Sequence, residues 1–213
     1  MNCIPATSFL RRKEVMGLKE KIWFALFALA LLLTFAAGRL PYFPGDVVLA
    51  KLVQSLMPAS TGWAQWVSST GKSPWCLLLL AITVILSFRI AGTRGALLSL
   101  ASFAGMWILG LYLGSWVARP RPAPDLIRVA QQLTGYSFPS VHALVYASTF
   151  GFLAVLFAVK TSGPQRLSGI VICGAMVLLG FAARLALGAH WPSDLLLSSF
   201  IGFLWAALLV RFI

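Results

Sequence analysis

The sequence predicts an all-α integral membrane protein: a six-transmembrane-helix bundle with a short interfacial helix between spans one and two. The first observation behind this prediction is composition, because 60% of the 213 residues are hydrophobic and only 10% are charged. Soluble domains average about 45–50% hydrophobic residues and about 25% charged residues. So few charges cannot cover a water-soluble surface, and so apolar a chain is not disordered. We expect residues 1–213 to form a single domain.

The second observation is that isolated charges divide the chain into six apolar runs. A helix needs about 20 residues to cross the bilayer core, and lysines or arginines at its ends can extend a short run by snorkelling. The first run follows a basic leader and ends in small residues, which also resembles a cleavable signal peptide; we expect it to be retained as a span. The six predicted spans are 22–38, 73–88, 95–118, 139–159, 167–183 and 195–210.

The segment 46–66 lies between the first two predicted spans. Pro44-Gly45-Asp46 is typical of a turn followed by the start of a helix, and the apolar residues that follow have helical spacing. Trp63 and Trp66 come just after Pro58, as expected for side chains at headgroup level. The pattern predicts a short interfacial helix. The alternative, an ordered loop with no role in substrate choice, is equally compatible with it.

The positive charge predicts orientation. There are 17 Lys and Arg against 5 Asp and Glu, but the cations are scattered singly between apolar runs, so we expect no nucleic-acid partner. Six spans place the loops alternately on the two faces of the membrane. Ten Lys and Arg residues then lie on the same face as the termini, and seven lie on the other face. The positive-inside rule then places both termini in the cytoplasm.

Three clusters of polar residues stand out, and the six-span topology brings all of them to the outer face. They hold the chain's two histidines and several arginines. These clusters are Arg119-Pro120-Arg121-Pro122, Pro139-Ser140-Val141-His142, and the set Arg184, His190 and Asp194.

Residue types indicate the chemistry of such a pocket. Guanidinium groups bind phosphate oxygens in a bidentate manner. A histidine four residues before an aspartate can have one ring nitrogen held by the carboxylate, which leaves the other nitrogen as base or nucleophile. A second histidine can protonate a departing oxygen. Because the pocket has too few carboxylates to hold Mg²⁺, we expect phosphoryl transfer through a phosphohistidine, with no metal and no cofactor.

At these residues the sequence resembles the type-2 phosphatidic acid phosphatase superfamily of membrane lipid phosphatases. The resemblance covers residues 114–194 and agrees with that family's six-helix architecture. It implies that His190 is the nucleophile, Asp194 its orienting partner and His142 the acid. It also implies that the phosphoryl oxygens are bound by Arg121, Arg184, Ser140 and the backbone at Val141.

The chain departs from the family pattern at three positions. Gly114 stands where the family has lysine, Val141 where it has glycine, and Ala183 where it has serine. The first departure removes a phosphate ligand. We therefore expect Arg119 or Arg128 to occupy the space left at Gly114.

The function expected from the resemblance is hydrolysis of a lipid phosphate or pyrophosphate at the outer leaflet of a bacterial inner membrane. Substrates of the undecaprenyl pyrophosphate, phosphatidylglycerophosphate or phosphatidate type would fit, with membrane lipids around the chain and no obligatory protein partner. One alternative is a lipid A phosphatase or phosphotransferase, which differs in the acceptor. Another is a non-catalytic lipid-phosphate binder or transporter, a reading that Gly114 favours.

Overall fold

A computed structural model describes residues 6–130 and 132–213, and within residues 6–16 and at residue 19 it describes the backbone alone. The described chain is helical, with no strand. Its helices are α1 (Ala6–Ala37), α2 (Asp46–Ser55), α3 (Gly62–Ser69), α4 (Trp75–Val117), α5 (Val141–Tyr146), α6 (Phe152–Lys160), α7 (Gly163–Ala186) and α8 (Pro192–Val210). A π-helical turn, Ala147–Gly151, joins α5 to α6. Together these three pieces form one helix, Val141–Lys160.

Among the described residues, five helices are long and apolar enough to cross a membrane: Glu20–Ala37, Trp75–Val117, Val141–Lys160, Gly163–Ala186 and Pro192–Val210. The sequence predicted six. The difference lies in α4, whose 43 residues include both the second and the third predicted spans. The loop expected at 89–94 is reduced to Ala91 and Gly92, the two residues of α4 with non-helical backbone angles.

The chain reverses direction at this break in α4. A Cβ at Gly71, just before α4, would lie 2.3 Å from His142 Cδ2, and a Cβ at Gly110 would lie 3.3 Å from Val141. A straight helix rises 1.5 Å per residue, which would separate the two glycines by more than about 50 Å. Both can approach α5 only because the two halves of α4 run side by side. Gly92 permits the turn with φ +63°.

The helix Val141–Lys160 is the most buried of the five and lies at the centre of the bundle. Close approach of its neighbours depends on small residues. A Cβ at Gly202 of α8 would lie 2.4 Å from Ala147 Cβ, and one at Gly169 of α7 would lie 2.3 Å from the Phe157 ring. By contrast, Glu20–Ala37 of α1 is mostly exposed and carries outward-facing Phe24, Leu32 and Phe35.

The segment predicted as one short helix forms two, α2 and α3, separated around Pro58. In α2 the apolar side chains of Val48 and Leu52 are exposed, whereas Gln54 is buried. The Gln54 amide donates to the backbone carbonyls of Arg128 and Leu185, each at 2.8 Å. One side of α2, with Asp46, Ala50 and Gln54, is therefore buried against the rest of the protein, while Val48 and Leu52 face outward.

Candidate active site

A cavity of about 450 Å³ lies where the three polar clusters meet. It is open to the outside of the protein and has no carboxylate among its lining residues. Its basic and imidazole-bearing lining residues are Lys72, Arg121, His142, Arg184 and His190. The cavity is thus a positively charged recess with two histidines in its wall.

His190 lies on the short loop between α7 and α8. Gly188 shapes this loop with φ +63°, and a Cβ there would lie 2.2 Å from the carbonyl oxygen of Arg128. Pro192 then begins α8 at a position where a missing N–H costs nothing. The loop is therefore held against the 119–138 segment, and the His190 side chain is buried beside the cavity.

The two hydrogen-bond partners of His190 determine its tautomer. Nδ1 lies 2.6 Å from the backbone carbonyl oxygen of Ser137, and Nε2 lies 2.9 Å from Nη2 of Arg184. A carbonyl only accepts and a guanidinium only donates. The ring nitrogen Nδ1 therefore carries the proton, and Nε2 holds its lone pair at the cavity.

Burial lowers the pKa of His190 well below its ordinary value of 6.5, and the charges of Arg184 and Arg121 lower it further. The hydrogen bond to the Ser137 carbonyl opposes them. Burial likewise lowers the pKa of the Arg121 guanidinium, against the opposing charge of Asp194. His190 is accordingly neutral at pH 7, the form in which imidazole is a nucleophile.

Arg121 and Arg184 both approach His190. Arg121 donates from Nη1 to the carbonyl oxygen of Ala189, at 2.7 Å. Arg184 donates from Nη1 to Ser68 Oγ, at 2.6 Å, while its Nη2 faces His190. An anion bound at His190 Nε2 would be within reach of both guanidinium groups.

His142 occupies another part of the cavity wall. Its ring stacks on Tyr146 with the centroids 4.4 Å apart, and Nε2 lies 3.4 Å from the backbone carbonyl of Val67. The Tyr146 hydroxyl is in turn 2.7 Å from Thr70 Oγ1. His142 is therefore oriented largely by α3 and the residues that follow it.

Asp194 is buried but does not hold His190 directly, contrary to the arrangement expected from their spacing. Its oxygens accept from the Arg119 guanidinium, from Ser137 Oγ and, at 3.0 Å, from the Trp191 backbone N–H. Ser137 provides the link, since its hydroxyl donates to Asp194 and its carbonyl accepts from His190. Asp194 therefore positions His190 indirectly, through Ser137.

Arg119 is 1% exposed and lies outside the cavity. Its guanidinium contacts Asp194 and also Asp46, with Nη2 3.2 Å from Asp46 Oδ2. Two buried carboxylates attract the guanidinium away from the cavity. The expectation that Arg119 binds phosphate in the space at Gly114 is therefore wrong, and Arg119 is a buried ion-pair residue.

The remaining predicted residues divide between the cavity and its surroundings. Val141 and Gly114 line the cavity. Ser140 does not, because its buried hydroxyl caps α5 by accepting from the Ala143 N–H. Arg128 is also outside the cavity lining, and its backbone N–H and carbonyl bind Gln54. Arg128 thus does not replace the missing lysine either.

Sequence reasoning missed the contribution of α3 and the connection to α4. Ser68, Gly71 and Lys72 all line the cavity. In the sequence, Lys72 is only the charge that directly precedes the predicted span 73–88. The observation that could have pointed to Lys72 was the absence of a lysine at position 114, which leaves the cavity one cation short.

Comparison with known proteins identifies the family of this chain. A stretch of 90 residues is 32% identical to phosphatidylglycerophosphatase B of Haemophilus influenzae, covering 41% of this chain and 37% of that protein's length. The crystal structure of a transmembrane PAP2 type phosphatidylglycerolphosphate phosphatase from Bacillus subtilis superposes with a TM-score of 0.68 and 22% identity, over 89% of this chain and 94% of that one. The sequence profile of the PAP2 superfamily matches residues 95–213, more than half of the chain. The chain therefore belongs to the PAP2 superfamily.

Proposed function

We propose that this protein is a lipid phosphatase that transfers a phosphoryl group from a lipid phosphate or diphosphate to His190 and then to water. The observation that carries the proposal is the neutral, Nδ1-protonated His190, whose Nε2 faces the cavity beside the guanidinium of Arg184. A nucleophile and a charge-stabilising donor thus lie within 2.9 Å of each other. Family membership supports the reaction class.

The first step forms a bond between His190 Nε2 and phosphorus and breaks the bond from phosphorus to the lipid oxygen. Arg184 and Arg121 stabilise the charge on the phosphoryl oxygens, and His142 gives its proton to the departing oxygen. In the second step water attacks phosphorus, its proton passes to His142, and the bond to Nε2 breaks. Inorganic phosphate leaves and both histidines return to their starting state.

A basic cavity wall suits this metal-independent route, because proteins usually bind Mg²⁺ through one or two carboxylates and none is among the lining residues. The names of both relatives support phosphatidylglycerophosphate as one substrate to test. Undecaprenyl pyrophosphate and phosphatidate are the other two. All three present a phosphate or diphosphate on an apolar tail.

We place this reaction at the outer face of a bacterial inner membrane, with six spans and both termini in the cytoplasm. The reversal in α4 supports the count, since each half of that helix is then a separate crossing. The exposed apolar side chains of α2, Val48 at 73% and Leu52 at 54%, support an interfacial position for that helix.

The test is release of phosphate by the purified protein from these three lipids, with and without EDTA. With ³²P-labelled substrate and rapid quenching at alkaline pH, which preserves phosphohistidine, we expect label on the wild-type protein and none on His190→Ala. His142→Ala should be labelled by an aryl phosphate, whose leaving group needs no proton, and poorly by an alkyl phosphate. Phosphate binding without release from any lipid would instead identify a binding protein.

A further inference from the structure

The cavity contains a cation that the proposed reaction has not used. Lys72 lies on the connection between α3 and α4, and it lines the same cavity as Arg121, Arg184 and Gly114. Its backbone is held on both sides: its N–H donates to the Ser69 carbonyl, and its carbonyl accepts from the Cys76 N–H, each at 2.9 Å. The point from which the side chain extends is therefore well defined.

No carboxylate among the side chains that the structure describes forms an ion pair with Lys72. Within the part of the chain whose side chains are described, the ion pairs involve only Arg119, Asp46 and Asp194. The cavity lining holds three cations and no carboxylate. Lys72 is exposed at the wall of this recess, in a lining that also holds two arginines, and an anion is the natural partner of such a group of cations.

Gly114 leaves room in the same recess. A Cβ at Gly114 would lie 3.9 Å from Pro139 Cδ and from Tyr136 Cδ2, which is ordinary contact. Because no side chain extends from position 114, a cation from elsewhere in the lining has access to a bound phosphate. Arg119 is held by two carboxylates and cannot take this place. Lys72 is the remaining candidate cation.

We propose that Lys72 is the third phosphate-binding cation of this cavity and compensates for the glycine at position 114. The inference rests on the proposed function, which it deepens. A transferring phosphoryl group has three charged oxygens, and Arg121, Arg184 and Lys72 would surround it with three positive charges. The site would thus be complete with a cation from a different part of the chain.

The experiment compares turnover of one lipid phosphate by Lys72→Met, Lys72→Arg and Lys72→Met combined with Gly114→Lys. We expect Lys72→Met to lower kcat/KM about 10²-fold, the loss that follows removal of one preorganised donor. Lys72→Arg should retain most activity because it keeps the charge. The double variant should recover at least about tenfold over Lys72→Met. Lys51→Met, an exposed position on α2 outside the cavity, is the matched control and should equal the wild type.

Binding of inorganic phosphate, measured by calorimetry, separates this proposal from the proposed function. If the wild type releases no phosphate from any lipid, the proposed function fails, and weaker phosphate binding by Lys72→Met would still support the inference. Wild-type turnover and phosphate binding in Lys72→Met would overturn it. So would an equal loss in Lys72→Arg, because the residue would then contribute packing rather than charge.

Discussion

Single residues near His190 divide into those that face the cavity and those that support the loop behind it. His190 and Arg184 face the cavity, whereas Asp194 and Ser137 hold the loop. Both kinds are buried and polar, so burial alone does not distinguish them. Their hydrogen-bond partners do, and two predictions follow at this scale.

The first prediction concerns the protonation of His190. The chain has two histidines, so His142→Gln leaves one imidazole for ¹⁵N NMR in detergent. We expect a neutral ring with the proton on Nδ1 at about pH 6, where an ordinary histidine is mostly protonated. The sign follows from burial and from Arg184 and Arg121, all of which disfavour the imidazolium.

Replacing Arg184 with Met in the same background provides the control, because removal of that cation should raise the pKa of His190. Titration at the ordinary histidine pKa in the presence of Arg184, or a proton on Nε2, would contradict the assignment.

The second prediction separates two arginines that are only two residues apart. Arg119→Met leaves the buried carboxylates of Asp46 and Asp194 without their shared cation, and should lower the free energy of unfolding by about 3–5 kcal/mol. Arg121→Met should cost about 1 kcal/mol but lower turnover about 10²-fold. Thermal unfolding in detergent and phosphate release measure the two effects. Equal unfolding temperatures for the two variants would show that the buried ion pairs contribute little.

Among the elements, α3 and its connection to α4 contribute most to the site beyond the three motifs. Ser68 binds Arg184, the Val67 carbonyl faces the His142 ring, and Gly71 packs directly against that ring. A short helix therefore orients both a phosphate-binding residue and the proposed acid. The segment is helical here, not the ordered loop of the alternative interpretation.

Gly71→Ala tests this role. Its Cβ would lie 2.3 Å from His142 Cδ2, so the ring or the connection must move. A displacement of about 1 Å can lower a rate about 10²-fold, and we expect that loss with an alkyl phosphate. An aryl phosphate should be less affected because its leaving group needs no proton.

Gly62→Ala, on the same helix, is the matched control because nothing lies within 4 Å of its Cβ. Phosphate release from both substrates is measured for both variants. Similar rates for Gly71→Ala and Gly62→Ala would mean that α3 does not orient His142.

For the whole molecule, the prediction concerns the side of the membrane on which each loop lies. Asp125, on the connection between α4 and α5, and Gln165, in the first turn of α7, are both exposed. The proposed topology assigns them to opposite faces. In a cysteine-free background, an impermeant thiol reagent should label Asp125→Cys in intact cells. Gln165→Cys should be labelled only after permeabilisation. The reverse pattern would invert the proposed orientation, and labelling of both in intact cells would contradict the span count.

The sequence by itself determined the membrane class, the apolar helices and the family. These depend on local properties: runs of apolar residues long enough to span a bilayer, and three short motifs in order. It also identified His142, His190, Arg121 and Arg184 as cavity residues, because motif order and span parity bring them to one face. Each of these conclusions needs only the chain and its periodicity.

Only the tertiary structure decided which groups touch. The spacing of His190 and Asp194 suggested a direct contact, but the buried guanidinium of Arg119 and the Ser137 hydroxyl occupy the carboxylate. Arg119 was expected in the cavity, yet Asp46, 73 residues away, helps to hold it elsewhere. Lys72 lines the cavity because α4 reverses at Gly92 and brings its start beside α5. Contacts between distant segments depend on how helices pack and on which buried charges find partners, and neither is encoded in local spacing.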